Sequence, residues 1–198
     1  MDAAQRELND QIDDATQRLL GTARVIAEPD LRAPSLLPGW TRADVLAHLA
    51  RSADAMRNLL IGARSGADRP AYASAEARAT GIEQTAKQQP KDLAEDVAGA
   101  AMAFRTLARQ LPHEAWRYEV EILGSARFPA GQLLTRRLVE VELHHTDLGL
   151  SYAPSDWPAT FTRMDLPEPM RTQRQDRLTR ARGTAEGALP PHQPHQSR

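Results

Sequence analysis

Between Arg136 and Leu148 the sequence reads Arg-Arg-Leu-Val-Glu-Val-Glu-Leu-His-His-Thr-Asp-Leu. Three carboxylates (Glu140, Glu142 and Asp147) and two imidazoles (His144 and His145) crowd into a short helical stretch. Residues three or four apart share a helix face, so Glu140 stands beside His144, Arg137 beside Glu140, and Glu142 beside His145. A carboxylate and an imidazole at this spacing reach one divalent metal. The same residues also suit a quieter arrangement. His145 falls within the apolar stripe Leu134, Leu138, Val141 and Leu148, where a core histidine with satisfied hydrogen bonds fits, and Arg137–Glu140 reads as a surface ion pair of little worth. A second histidine strengthens the metal reading. His48 lies at the edge of the stripe Val45, Leu49 and Ser52 and faces the same bundle interior as the later helix. Two histidines and one glutamate leave a coordination position open, as in catalytic rather than structural zinc sites. Spacing leaves His144 and His145 both available, with His145 the deeper. His113, in a loop after Pro112, and His192 and His195, beside prolines near the end, are poorer candidates.

The elements that must position these groups are helical. Apolar residues Leu8, Ile12, Ala15, Leu19, Ala23 and Ile26 recur at helical spacing over residues 3–27, where Pro29 stops the run. Thr41 with Asp44 three residues on forms a capping box for a helix to about Ala63. Residues 74–88 are helical in pattern but weakly apolar. Pro90 suits the first turn of a helix to about Leu111, with a face of small residues that permits close packing. Residues 117–128 alternate like an extended excursion, weakened by Gly124 and Ser125. Pro129 opens a strong helix to about Gly149, which suits its C-terminal end. Ser155 caps a short helix towards Met164, and residues 183–198, carrying Pro190, Pro191 and Pro194, are expected to be disordered. The expected architecture is all-α: a four-helix bundle with a long third connection and a ragged C-terminal extension.

Composition narrows the function classes. The chain has 198 residues, 25 basic against 26 acidic, a balance that argues against nucleic acid as the main ligand. It has no cysteine, which excludes disulfides, a thiolate metal site and a cysteine nucleophile, so any catalytic thiol arrives from outside. The polar N-terminus is no signal peptide, and no apolar run approaches a membrane span. The expected protein is cytoplasmic, without nucleic-acid or membrane partners.

The segments Leu37-Pro38-Gly39-Trp40-Thr41-Arg42-Ala43-Asp44-Val45-Leu46-Ala47-His48-Leu49-Ala50-Arg51 and Val139-Glu140-Val141-Glu142-Leu143-His144-His145-Thr146-Asp147-Leu148 together resemble the mycothiol-dependent maleylpyruvate isomerase family, over residues 4–158. The resemblance implies a DinB-like four-helix bundle at residues 1–152, with His48, Glu140 and His144 as zinc ligands. His145 then takes a packing or outer role, and Asp147 orients a ligand imidazole. Arg51 and Arg137 are candidates for substrate or thiol carboxylates. The implied cofactors are zinc and mycothiol. The implied reaction is addition of the thiolate to maleylpyruvate, bond rotation, and elimination to fumarylpyruvate. The partners are a small-molecule substrate and a low-molecular-weight thiol, on a monomer or homodimer. There are two departures from the family pattern: Ser52 stands where asparagine is usual, and residues 153–198 run into an Arg- and Pro-rich ending that reads as a truncated, largely disordered remnant of a second domain. That ending moves weight towards mycothiol S-transfer to other electrophiles. A non-catalytic zinc-binding bundle and a metal-free helical interaction module are the remaining readings.

Overall fold

The computed structural model describes residues 1–187, and side chains to residue 183. Helix α1 spans Ala3–Ala23, α2 Glu28–Arg32, α3 Arg42–Ser65, α4 Ala75–Ala86, α5 Pro90–Gln110 and α6 Gln132–Asp147. A two-residue antiparallel hairpin, β1 (Glu119–Val120) with β2 (Phe128–Pro129), interrupts the connection from α5 to α6 and pairs Glu119 with Pro129 and Val120 with Phe128. Two compact units arise, Met1–Gly149 and one beginning at Leu150.

The first unit is a four-helix bundle. Helix α3 packs on α5 and α6, and α1 packs on the same two helices, while α4 lies along the outside of α3. Leu19, Leu46, Leu49, Leu60, Leu93, Val97, Phe104, Leu133, Leu134 and Val141 are buried to within 1% and fill the core. Alanines on α3 (Ala47, Ala50, Ala53) and α5 (Ala94, Ala101, Ala108) are also buried, which lets these helices approach closely.

Local chemistry sets several boundaries. Thr41 and Asp44 form the expected capping box: the Thr41 N–H donates to Asp44 Oδ2 at 2.8 Å and the Asp44 N–H to Thr41 Oγ1 at 3.2 Å. Ser74 caps α4, and Pro90 occupies the first turn of α5, where a missing N–H costs no helical bond. Gly66, at φ 66°, ends α3 in the left-handed region.

Three expectations are corrected. Helix α1 ends at Ala23 rather than about Ala27, and Pro29 opens the short α2 instead of terminating its predecessor. Pro129 lies in β2, and α6 starts three residues later, because a proline fits a strand edge that needs no donor there. Of residues 117–128, Arg117 ends a 3-10 turn (Glu114–Arg117), and only Glu119–Val120 and Phe128 are strand, with a turn between them.

The loop from Ala33 to Trp40 closes over the end of α6. The Leu36 N–H donates to Asp147 O at 2.8 Å, and Arg42 Nε donates to Leu148 O at 2.7 Å. Gly149, at φ 64°, takes the left-handed position after α6, and a Cβ there would sit 3.1 Å from Leu36 Cδ2.

In the second unit, a 3-10 turn at Pro154–Asp156 and α7 (Ala159–Thr162) replace the helix expected from Ser155 to Met164, because the Ala153 N–H is taken by the Asp156 carboxylate at 2.8 Å. The Trp157 and Phe161 rings meet edge to face at 5.3 Å, and Arg174 donates to Phe161 O at 2.6 Å. Helix α8 spans Met170–Gly187. Residues 183–187, the first of the stretch expected to be disordered, continue α8, and residues 188–198 lie outside the described residues. Among the described residues no helix is long and apolar enough to cross a membrane.

Candidate metal centre

Helices α3 and α6 bring together three residues from distant parts of the chain. His48 lies in the second turn of α3, and Glu140 and His144 lie one turn apart on α6. One ligand atom from each lies within 4.8 Å of the others. His48 Nε2 is 2.8 Å from Glu140 Oε2, and His144 Nε2 is 3.6 Å from the same oxygen. The two imidazoles meet edge to face at 4.8 Å, Ser52 Oγ donates to Glu140 Oε2 at 3.4 Å, and the Trp40 ring edges His48 at 5.6 Å. The His48 side chain is 9% exposed, His144 16% and Glu140 30%, so the cluster sits at the bottom of an opening rather than sealed in the core.

The surroundings fix which atoms are available. Asp147 is fully buried and its Oδ2 lies 2.9 Å from His144 Nδ1. With Nδ1–H donating to this carboxylate, the Nε2 lone pair is left facing Glu140. Asp147, to which the resemblance assigned the orienting of a ligand imidazole, thus lies beside His144. Burial, the largest influence, pushes the His48 pKa down; the Glu140 charge and hydrogen bond oppose it, His144 and Arg78 add to it, and the net shift is downward. His48 is therefore a neutral imidazole near pH 7. Burial by itself would raise Glu140, but His48, its hydrogen bond, His144 and Arg137 together hold its carboxyl well below the usual carboxylate range. Two imidazole nitrogens and one ionised oxygen form a donor set suited to a divalent ion of borderline softness, with at least one position left to an exogenous ligand.

The other predicted residues lie elsewhere. His145 is 2% exposed and turns away from the cluster, towards α1, where its Nε2 is 2.8 Å from Thr22 Oγ1. It packs against α1 and is not one of the three residues whose ligand atoms converge. Arg51 is engaged by Asp96 at 2.6 Å and Asp54 at 3.1 Å. Arg137 is no surface residue at a mouth, because it has no exposed surface. Its Nη1 donates to Leu49 O at 2.9 Å, and its Nε and Nη2 are buried without a hydrogen-bond partner. Burial brings its pKa down to about 10, with Glu140 and Asp54 opposing the shift. It remains a cation, placed behind Glu140.

Two residues at the opening escape sequence reasoning. Arg78 of α4 brings Nη2 to 3.4 Å from His48 Nδ1, and its guanidinium stands 5.8 Å from the centre of the Tyr72 ring. Tyr72 is half-buried, and burial raises its hydroxyl pKa, which keeps the phenol protonated. Neither carries a signal in the sequence beyond its type, since α4 has a weak apolar stripe and Tyr72 lies in a loop.

A family model described as the mycothiol maleylpyruvate isomerase N-terminal domain matches residues 12–149, a span that contains the whole cluster and Arg78. Among solved structures, the crystal structure of the mycothiol-dependent maleylpyruvate isomerase is similar, with a TM-score of 0.76 and 28% identity over 80% of this chain and 66% of that one. The crystal structure of a histidine-to-alanine mutant of that isomerase matches with the same values. The present chain therefore spans just under two thirds of the length of these solved chains, at 66%. No curated protein matches it.

Proposed function

The chain belongs to the mycothiol maleylpyruvate isomerase N-terminal domain family, and on that premise we propose that it is a zinc-dependent enzyme that uses mycothiol to isomerise maleylpyruvate. The metal ligands in this reading are His48, Glu140 and His144. The observation that supports it most is their convergence: ligand atoms from two helices, 92 residues apart between His48 and Glu140, lie within 4.8 Å of one another. Bound there, a divalent ion would lower the pKa of a thiol so that thiolate persists at neutral pH.

The chain's own residues supply the rest. Asp147 holds the His144 imidazole in the tautomer that directs its Nε2 lone pair inward. His48 above all, with His144 and the buried Arg137 adding to it, holds the Glu140 carboxyl below the usual carboxylate range. Arg78 stands at the rim beside His48, where a guanidinium meets a carboxylate of a small diacid. The Tyr72 phenol, kept protonated, is a hydrogen-bond donor next to Arg78. Mycothiol, when bound, would supply a thiolate that adds to one carbon of the maleylpyruvate double bond, the π electron pair passing to the conjugated carbonyl; after rotation about the single bond, return of that pair would expel the thiolate and leave fumarylpyruvate. The setting is the cytoplasm, and the partners are the thiol and the substrate.

Two measurements test this together: metal content after purification without chelator, and mycothiol-dependent loss of maleylpyruvate absorbance. About one zinc per chain, lost together with activity in His48→Ala, is the expected result. A chain that holds no metal overturns the ligand assignment. A fully loaded chain that is inactive with mycothiol overturns the isomerase assignment and leaves the metal centre intact.

A further inference from the structure

A cavity of about 320 Å³ lies between the C-terminal part of α3, the segment after it and the β1–β2 hairpin. Its polar lining consists of Asp68, Arg69, Tyr72, Tyr118, Glu121 and Arg127. The cavity is built rather than incidental. At Gly62 on α3 an added Cβ would stand 2.8 Å from Ala67 O and 3.0 Å from Arg69 Cβ, so only glycine lets the segment carrying Asp68 and Arg69 fold back this closely. On the opposite wall, Arg127 Nη2 lies 2.7 Å from Asp68 Oδ1, the Tyr118 hydroxyl donates to Asp68 at 3.1 Å, and Glu121 accepts from the Gly124 N–H at 3.0 Å. The two contacts to Asp68 tie the hairpin to the α3–α4 connection, and the third braces the hairpin's own turn.

The lining indicates the class of ligand. Two arginines face two carboxylates, so the wall carries no net charge and offers little to an anion or a cation. It does offer fixed donors and acceptors at short range, flanked by two tyrosine rings whose faces accept C–H groups and whose hydroxyls hydrogen-bond. A neutral ring bearing many hydroxyls can add hydrogen bonds to these groups without breaking the pairs they already make, whereas an apolar ligand gains nothing from them.

The position indicates what the ligand is attached to. Tyr72 forms part of this cavity and also of a second one, of about 190 Å³, lined by Arg51, Asp54, Asn58 and Arg78. Arg78 in turn reaches 3.4 Å from His48. Two side chains, Tyr72 and Arg78, thus lead from the hairpin cavity to the His48–Glu140–His144 cluster. We propose that the hairpin cavity is a polyol subsite that takes the sugar–cyclitol body of the thiol cofactor, with its sulfur end directed past Tyr72 and Arg78 towards the cluster. The identity of the thiol rests on the function proposed above, but binding of the polyol does not.

The test is titration calorimetry on the full chain with the N-acetylated glucosaminyl-inositol body of mycothiol, which lacks the cysteine and its sulfur. The expected result is saturable binding that persists after chelation and in His48→Ala, and that weakens about tenfold in Tyr118→Ala and in Glu121→Gln. Thermal melts of both variants establish that they fold, and Glu121 is exposed enough that its isosteric replacement leaves the fold intact. Absence of saturable binding to the parent overturns the subsite. So does binding that both variants retain in full, or equally tight binding of maltose. A chain that binds the probe but holds no metal refutes the proposed function and leaves the subsite standing. A chain that turns over maleylpyruvate with mycothiol but ignores the probe does the reverse.

Discussion

Asp147→Asn changes one atom at the base of the cluster and should separate metal affinity from folding. The parent carboxylate is fully buried and lies 2.9 Å from His144 Nδ1. An asparagine amide fills the same volume but can present an N–H to that nitrogen. The imidazole then keeps its proton on Nε2, the atom that faces Glu140 at 3.6 Å, and loses the lone pair a metal needs. A hydrogen bond to a buried charged acceptor is worth about 1.5–3 kcal/mol. Loss of such outer partners weakens metal binding by about 10–100-fold, and the two figures agree because tenfold corresponds to about 1.4 kcal/mol. Competition with a chromogenic zinc chelator near neutral pH measures the change, with His48→Ala as the reference for a lost ligand. Thermal melts of the metal-free proteins establish that Asp147→Asn is folded. A folded variant whose zinc affinity stays within about threefold of the parent, well short of tenfold, refutes the tautomer argument.

Other expectations follow from the same contacts. His144→Ala should lose metal while keeping most of its metal-free stability, whereas His145→Ala should keep metal and melt lower, because His145 is buried against Thr22; metal analysis beside melts separates the two, and the reverse pattern would identify His145 as the ligand. Thr41→Ala removes one half of the α3 capping box and should cost about 1 kcal/mol, seen as a fall in Tm of about 2–4 °C. Metal-free protein should lose stability as the pH falls below 6.5, the ordinary histidine value. Burial lowers His48 in the fold, so the unfolded chain takes up that proton first, and the contribution present above 6.5 is lost below it. Urea melts in chelator from about pH 8 to 5 measure this, and a slope no smaller in His48→Ala would rule out His48 as its source.

The parts of the fold that were legible in the sequence are those set by local chemistry. Thr41 with Asp44, Ser74 and Pro90 mark helix starts because each acts on backbone groups within three residues of itself. Pro129 misled because a proline suits a helix start and a strand edge equally, and the deciding partner, Glu119, lies ten residues back. Periodicity placed His145 deeper than His144 on α6, as the structure has it, but depth does not say which neighbour a side chain meets. His145 meets α1 and His144 meets α3, a distinction made by the family resemblance and not by the apolar stripe. Arg137 read as a surface cation because arginine usually is one, and only the packed bundle shows it closed in behind Glu140. Arg78 was not legible at all, since its place beside His48 depends on how α4 lies against α3.

The loop over the end of α6 has a dynamic consequence. A helix's last four carbonyls have no partner within the helix, and its final turn ordinarily frays. Here that turn carries His144 and Asp147, and the next carbonyls are held from outside, Asp147 O by the Leu36 N–H and Leu148 O by Arg42. Arg42 is also the first residue of α3, the helix that bears His48. The start of one helix and the end of the other are thereby fastened to each other, so neither should open alone. Amide exchange in the first two turns of α3 and the last turn of α6 should therefore report one shared opening free energy, rather than the graded loosening of two independent helix ends.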